Sequence, residues 1–358
     1  MELVAVILAG GKGERFWPKS RTKLPKQFLN ISGNKTMIQQ VIERLKLILD
    51  VTHIFVVTNE LYAELIKVQV PDLPKENIII EPIGKNTAPC IGLASIIIER
   101  KYPNTTMIVL PSDHIITDEK GFIQILETAA NVANKSEHVV TLGINPTYPE
   151  TGYGYIEAAS DSFVKNSMKV LSVKKFTEKP EKEQAEKYLI AGNFYWNSGI
   201  FVWKTSVIRN LIAQYLPEIH DILETIKTSL DKQDFIETIR TEFAKMPDQS
   251  IDYGIMEKAK DIYVIPCSFG WDDVGSWNAL ERINELDQSG NFISGNTLTV
   301  DTKGCIIESG PKLIATLGIE DLIIINTDDV TLICTKDRAQ EVKLLLKELR
   351  DKKLEKYL

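Results

Sequence analysis

The residues able to do chemistry in this chain fall into three groups. One is a glycine-rich basic loop, one is a set of acids beside turns, and one is a lysine held between an acid and a proline. The loop reads Leu8-Ala9-Gly10-Gly11-Lys12-Gly13-Glu14-Arg15-Phe16 and directly follows an apolar run. Glycines let a strand-terminal loop turn its backbone N–H groups toward an anion, so such a loop can cradle phosphates. Five cations fall between positions 15 and 26, Arg15, Lys19, Arg21, Lys23 and Lys26, a local positive patch that suits a triphosphate. Two familiar nucleotide loops are excluded. The GxxxxGK[ST] spacing is absent, and a GxGxxG fingerprint would need glycine where Phe16 stands.

The acids are Asp113, just past the apolar run 107–111, and the adjacent pair Asp272 and Asp273 in a turn bounded by glycine and tryptophan. A carboxylate at the carboxyl end of a parallel strand can hold Mg²⁺ against nucleotide phosphates. Two adjacent acids in a tight turn are costly without a cation. The lysine is Lys179, between Glu178 and Pro180. Cysteines at 90, 267, 305 and 334 form no CxxC pair, and histidines at 53, 114, 138 and 220 show no metal-ligand spacing. They read as buried thiols and structural imidazoles.

The elements that must position these residues alternate. Apolar or β-branched runs at 3–8, 54–58, 78–80, 107–111 and 139–144 predict strands, and helical spacing predicts helices over 37–49, 60–68, 89–100 and 121–133. That alternation implies an α/β domain: a Rossmann-like, mixed, mostly parallel sheet with helices on both faces. Further strands are expected at 154–157, 170–177, 199–204 and 262–267, with helices over 182–191, 207–230 and 276–286. A turn cluster at Asp287–Asn291 marks a boundary. Beyond it lie short β runs with a weak repeat, then a charged amphipathic helix over 338–358. The expected division is a domain at 1–287 and a small β domain at 288–358.

The chain has 358 residues, 44% of them hydrophobic and 25% charged, the mixture of an ordinary globular protein. Its net charge of −7 gives no global attraction for nucleic acid or an anionic membrane. The apolar N-terminal run is too short to span a bilayer and has no basic flank, so no membrane partner and a cytoplasmic location are expected.

Taken in order, the motifs carry a resemblance. GGKGERFWP with LPKQF resembles the signature of the sugar-1-phosphate nucleotidylyltransferases, and PKQF is similar to the mannose-1-phosphate guanylyltransferase branch. Further matches follow in sequence: Glu81-Pro82 with GKNTAP, LPSDH ending at His114, GYGYI from Gly152, FTEKP around Lys179, NSGIF from Asn197, SIDYGIMEK from Ser250 and GWDDVGSW from Gly270. Lys85 stands where that family often has arginine, and Cys90 where it often has alanine.

The resemblance implies a transfer of GMP from GTP to α-D-mannose 1-phosphate. It implies Arg15, Lys26 and Lys179 as catalytic residues, with Lys179 on the sugar phosphate. Nucleotide contacts would come from Gly10, Gly11, Gly13, Glu81, Asn86, Thr87 and Pro89, Glu81 being a candidate reader of guanine. Sugar contacts would come from Gly154, Glu178 and Asn197. Mg²⁺ would sit on Asp113 and Asp273, while Asp272 is open between sugar contact, turn structure and a second metal. The C-terminal part is expected to resemble a short left-handed β-helix, and the last helix to support a homodimer. No room is expected for the fused isomerase domain that family members often carry. Two alternatives stay open: a nucleotidylyltransferase acting on glucose 1-phosphate, and a non-catalytic sugar-nucleotide-binding regulator.

Overall fold

The computed structural model of the protein describes residues 2–135 and 137–358. It divides into two compact units. The first comprises Met1–Gly10, Ile42–Ser112 and Ile116–Trp271; the second comprises Gly11–Val41, Asp113–Ile115 and Asp272–Leu358.

The first unit is built on one nine-stranded sheet. Its strands are β1 (Leu3–Leu8), β2 (Ile54–Asn59), β3 (Ile78–Glu81), β4 (Thr106–Pro111), β5 (Val139–Ile144), β6 (Tyr155–Lys165), β7 (Met168–Thr177), β8 (Phe194–Lys204) and β9 (Ile262–Cys267), in the order β3-β2-β1-β4-β8-β5-β9-β7-β6. The half that contains β1 to β4 is parallel. The strand β8 then runs antiparallel between β4 and β5. Continuous apolar runs such as Val4-Ala5-Val6-Ile7 are fully buried, as expected of strands covered on both faces. The α/β expectation holds. The strand order reverses at β1, with β2 on one side and β4 on the other, in register Leu8↔Pro111. In α/β sheets that reversal opens the crevice where ligands bind.

Several elements differ from the sequence reading. The helix expected over 207–230 is two helices, Thr205–Tyr215 and Pro217–Lys227. Pro217 cannot continue the first helix but starts the second well, its missing N–H being unneeded there. The strand expected at 154–157 runs on to Lys165, and the helix expected over 276–286 shrinks to Ala279–Ile283. A helix at Phe235–Phe243 was not anticipated.

In the second unit, short strands stack as coils. β10 (Phe292–Ser294), β12 (Ile306–Glu308) and β14 (Leu322–Asn326) pair in parallel, β15 (Thr331–Thr335) closes that sheet antiparallel, and β11 (Thr297–Lys303) pairs in parallel with β13 (Ile314–Glu320). Successive coils differ in length, which is why no strict repeat shows in the sequence. The C-terminal segment is a 3₁₀ turn at Lys336–Glu341, a helix at Val342–Asp351 and a last turn at Glu355–Tyr357. Its Val342 and Leu346 share a core with Phe16, Trp17, Trp277, Ile306 and Ile323. The glycine-rich loop is therefore anchored by the aromatic pair that follows it.

Candidate active site

The loop's own residues form one wall of a pocket in the second unit. Phe16 packs on Trp277 with ring centroids 4.9 Å apart, and the Trp277 indole N–H donates to the Trp17 carbonyl at 3.0 Å. The Trp17 indole and the Arg21 guanidinium each donate to the Tyr357 carbonyl at 2.7 Å. Arg350 pairs with Glu14 at 2.7 Å. Thus the C-terminal segment holds the loop in shape.

The five loop cations do not form one patch. Lys19 pairs with Glu308, and Arg21 pairs with Asp329 at 2.7 Å. Both spend their charge on holding the loop. Lys23 is exposed. Arg15 and Lys26 remain at the pocket, a cavity of about 400 Å³ lined also by Lys12, Gly13, Glu14, Asp113, His114, Asp273 and Lys343.

Lys26 is buried at 4% exposure. Its ammonium donates to the Asp113 carboxylate at 3.0 Å, the Asp113 carbonyl at 2.9 Å and the Asp273 carbonyl at 2.7 Å. One lysine thereby ties together the two segments that carry the candidate metal ligands. Gly13 makes this possible: its φ is 58°, and an added Cβ would run into the Lys26 Cβ and backbone. Burial raises the affinity of Asp113 for a proton, but Lys26 and His114 outweigh it and hold the carboxyl below its usual range. Burial pushes the His114 imidazole below its ordinary value against the pull of Asp113 and Asp273, so it is neutral at pH 7. Asp273 Oδ1 accepts from the Gly275 N–H at 3.1 Å. Asp272 is accounted for by structure: Arg282 grips it at 2.6 and 2.9 Å and the Val274 N–H donates to it at 2.7 Å.

In the first unit, Glu81 ends β3 and is 4% exposed. The Cys90 thiol donates to its Oε2 at 2.7 Å, while its Oε1 lies against Gly10. Burial raises the pKa of Glu81, and the thiol hydrogen bond opposes that. The Cys90 thiol is itself pushed well up by burial and by Glu81. Asn86 caps the helix Thr87–Lys101, its Oδ1 accepting from the Thr87 N–H at 2.9 Å. Its amide donates to Asp248 at 3.2 Å. The Thr87 hydroxyl accepts from the Ile251 N–H at 2.8 Å, and Pro89 is buried in the first helical turn.

A second cluster in the same unit joins Gly154, Glu178, Lys179 and Asn197. Lys179 has a φ of 45°, strained for a side-chain-bearing residue, and its N–H donates to the Tyr153 carbonyl at 3.2 Å. Its ammonium pairs with Glu178 Oε1. Burial lowers the Lys179 pKa, but Glu178 more than reverses this, so it stays charged. Glu178 Oε2 is buried with no hydrogen-bond partner among the described residues. A Cβ on Gly154 would collide with that oxygen. The Asn197 amide donates to Asp252 at 2.9 Å, its carbonyl accepts from the Gly199 N–H at 3.0 Å, and its own N–H donates to the Gly154 carbonyl at 2.8 Å.

The structure brings Arg15, Lys26, Gly13, Asp113 and Asp273 into one pocket, with Gly11 in the same unit. It brings Gly154, Glu178, Lys179 and Asn197 into another cluster, sets Gly10 against Glu81, and places Asn86, Thr87 and Pro89 at the start of the helix that follows β3. Sequence reasoning overlooked Lys343 in the phosphate pocket and Asp252 beside Asn197. Nothing near Lys343 in sequence distinguishes it from the other lysines of an amphipathic helix. Asp252 did lie in a recognised motif, but its burial came only with the fold. The two candidate ligands offer hard carboxylate oxygens facing a basic cavity, a donor set that fits Mg²⁺ shared with phosphate. Among the described residues, no group of three or more His, Cys, Asp or Glu makes a self-sufficient metal site. An ion on two carboxylates would take its remaining ligands from water and substrate. No helix among them is long and apolar enough to cross a membrane.

Comparison with known proteins adds independent findings. Residues 4–290 match the family described as nucleotidyl transferase, and residues 295–349 match a mannose-phosphate isomerase/GMP-like β-helix domain. The chain is 38% identical to a mannose-1-phosphate guanylyltransferase of Klebsiella pneumoniae, covering 99% of this chain and 75% of that protein. It is 36% identical to the alginate biosynthesis protein AlgA of Pseudomonas aeruginosa, covering 97% of this chain and 72% of the relative. A crystal structure described as a mannose-1-phosphate geranyltransferase from Thermus thermophilus superposes with a TM-score of 0.88 at 32% identity, covering 98% of this chain and 100% of that one.

Proposed function

The chain belongs to the nucleotidyl transferase family, and from that premise we propose that it is a mannose-1-phosphate guanylyltransferase, joining GTP and α-D-mannose 1-phosphate to give GDP-mannose and diphosphate. The observation that carries this reading is the phosphate pocket. The Asp113 carboxylate and the Asp273 backbone, tied by one buried lysine, line a cavity shared with Arg15, Lys12 and Lys343.

A phosphate oxygen of the sugar phosphate attacks the α-phosphorus of GTP. The bond from that phosphorus to the bridging oxygen breaks, and diphosphate leaves with the electron pair. The attacking phosphate is ionised at neutral pH, so no protein base is needed, and catalysis comes from positioning and charge neutralisation. Asp113 and Asp273 would hold Mg²⁺, which when bound supplies charge compensation to the phosphates. Arg15 neutralises the triphosphate and the charge that develops on the departing diphosphate. Lys26 fixes the Asp113 carboxylate and the Asp273 backbone carbonyl and adds one positive charge to the pocket. Lys179 holds the nucleophilic phosphate. Glu178 and Asn197 take sugar hydroxyls, with Gly154 leaving room. Glu81 offers its carboxylate to guanine N–H groups, with Gly10, Gly11, Asn86, Thr87 and Pro89 shaping the surroundings.

The same proposal divides the chain into a catalytic domain at 1–287 and a β domain at 288–358, working in the cytoplasm as a homodimer. Diphosphate release tests the reaction, with four nucleoside triphosphates crossed against mannose 1-phosphate and glucose 1-phosphate in Mg²⁺. The expected maximum is GTP with mannose 1-phosphate. A maximum with glucose 1-phosphate transfers the reading to the neighbouring activity. No release from any pair favours a non-catalytic sugar-nucleotide-binding regulator.

A further inference from the structure

The cluster around Asn197 contains an acid that the reaction above does not use. Asp252 opens a short π-helical turn, Asp252–Met256, a rare irregularity that occurs frequently at functional sites. The Asn197 amide fixes its carboxylate at 2.9 Å. Glu178 stands nearby with Oε2 buried and unpartnered among the described residues, in the space that Gly154 leaves open. The charged groups facing Asp252 are Glu178 and Lys179, with Tyr253 next in sequence; Glu257 accepts from the Glu178 N–H at 3.1 Å. Lys179 is engaged with the other oxygen of Glu178. Two neighbouring acids, Glu178 with its side chain buried and Asp252 half-buried, that share one lysine are unfavourable for the fold on its own. Burial, and then the charge of Glu178, push the carboxyl of Asp252 up to about 6. An arrangement that costs stability and leaves an acceptor unused calls for a ligand that donates hydrogen bonds.

We propose that Asp252 is a further specificity residue for the sugar: its carboxylate, oriented by Asn197, and the unpaired Oε2 of Glu178 accept hydrogen bonds from two neighbouring hydroxyls of the sugar 1-phosphate. This rests on the proposed reading of the site as one for a sugar 1-phosphate. It goes beyond that reading by assigning a residue from a different segment of the chain and a paired acceptor. A pair of acceptors at fixed separation tests the relative orientation of two hydroxyls, which is what distinguishes epimers. A hexose lacking the matching pair leaves a buried acceptor unmet and binds less well.

The test is Asp252→Asn, assayed with mannose 1-phosphate and glucose 1-phosphate and accompanied by thermal melting. The expected result is a KM for the preferred sugar 1-phosphate raised about tenfold or more, as for loss of a hydrogen bond to a charged group. The KM for GTP should stay within about twofold, and the preference between the two sugars should narrow. The melting temperature at pH 7.5 should not fall, because the substitution removes a disfavoured charge. The pH dependence of the sugar-phosphate KM should also differ between the two proteins near pH 6. The sugar phosphate's own ionisation is common to both and cancels in that comparison.

An unchanged KM for the sugar phosphate overturns the inference. So does a lowered melting temperature with both KM values raised alike, which marks Asp252 as structural. Preference of the unmodified protein for glucose 1-phosphate defeats the proposed sugar but leaves the inference to be judged on that substrate. No turnover of either sugar phosphate defeats both.

Discussion

The phosphate pocket and the Asn197 cluster both gather acids and lysines, yet they are built in opposite ways. In the pocket, the buried lysine is fully engaged: Lys26 bonds one carboxylate and two carbonyls, and the acid Asp113 is held ionised. In the Asn197 cluster, the lysine is half exposed, the Glu178 side chain is buried and Asp252 is half-buried; Glu178 Oε2 lacks a partner among the described residues and Asp252 holds its proton too tightly. The first arrangement pre-organises charge before any ligand arrives, which suits catalysis by electrostatic positioning. The second leaves acceptors unmet until a polyol supplies hydrogen bonds, which suits discrimination.

The largest test of that contrast lies in the pocket. Asp273→Asn should leave folding intact and lower kcat by roughly 10³-fold, the scale of losing a transition-state charge interaction. Steady-state kinetics beside a circular dichroism spectrum would check it, and near-normal turnover would remove Asp273 from the site. Lys26→Met should lower activity by about 10²-fold and, unlike Asp273→Asn, cost about 1–3 kcal/mol of stability, because it strands buried acceptors. Denaturant unfolding measures that difference between the two variants.

The Asn197 cluster predicts the reverse sign for stability. The Asp252 pKa is raised from 3.8 to about 6 in the folded chain, so the folded state holds a proton there that the unfolded state has released. The resulting penalty is absent below the unfolded value, grows as pH rises through that window, and is complete above pH 6. Asp252→Asn should therefore gain about 1–3 kcal/mol at pH 7.5 and close to nothing at pH 3, read from unfolding midpoints at the two pH values. The smallest expected effect is that of Lys343→Ala. Its ammonium is exposed at the pocket mouth, so the KM for GTP should rise roughly 3–10-fold, more at low salt than at high. Lys347→Ala on the same helix, which does not line the pocket, serves as the control.

The buried β runs, the loop after β1 and the acids after β4 and in the 270–277 turn were legible in the sequence, because continuous apolar runs and glycine-rich turns are set by local sterics and burial. The break at Pro217 was also written locally but was masked by apolar residues that keep helical spacing across it. Family resemblance, carried by ordered motifs, supplied expectations that local physics could not: that Lys179 belongs with a sugar phosphate and that Asp113 and Asp273 belong with a metal.

Tertiary structure alone decided the partners. Lys19, Arg21, Arg15 and Lys26 look alike as a run of positive charge. Only the fold shows that Glu308 and Asp329 take the first two, while Asp113 and two carbonyls engage Lys26. Cys90 looked like a departure from the family pattern, and folding turned it into a donor to Glu81. Lys343 carried no local mark, and Asp252 lay in a recognised motif that gave no hint of its partners. The reason is physical: propensity and periodicity act over a few residues, whereas burial, desolvation and charge pairing depend on groups hundreds of residues apart in the chain.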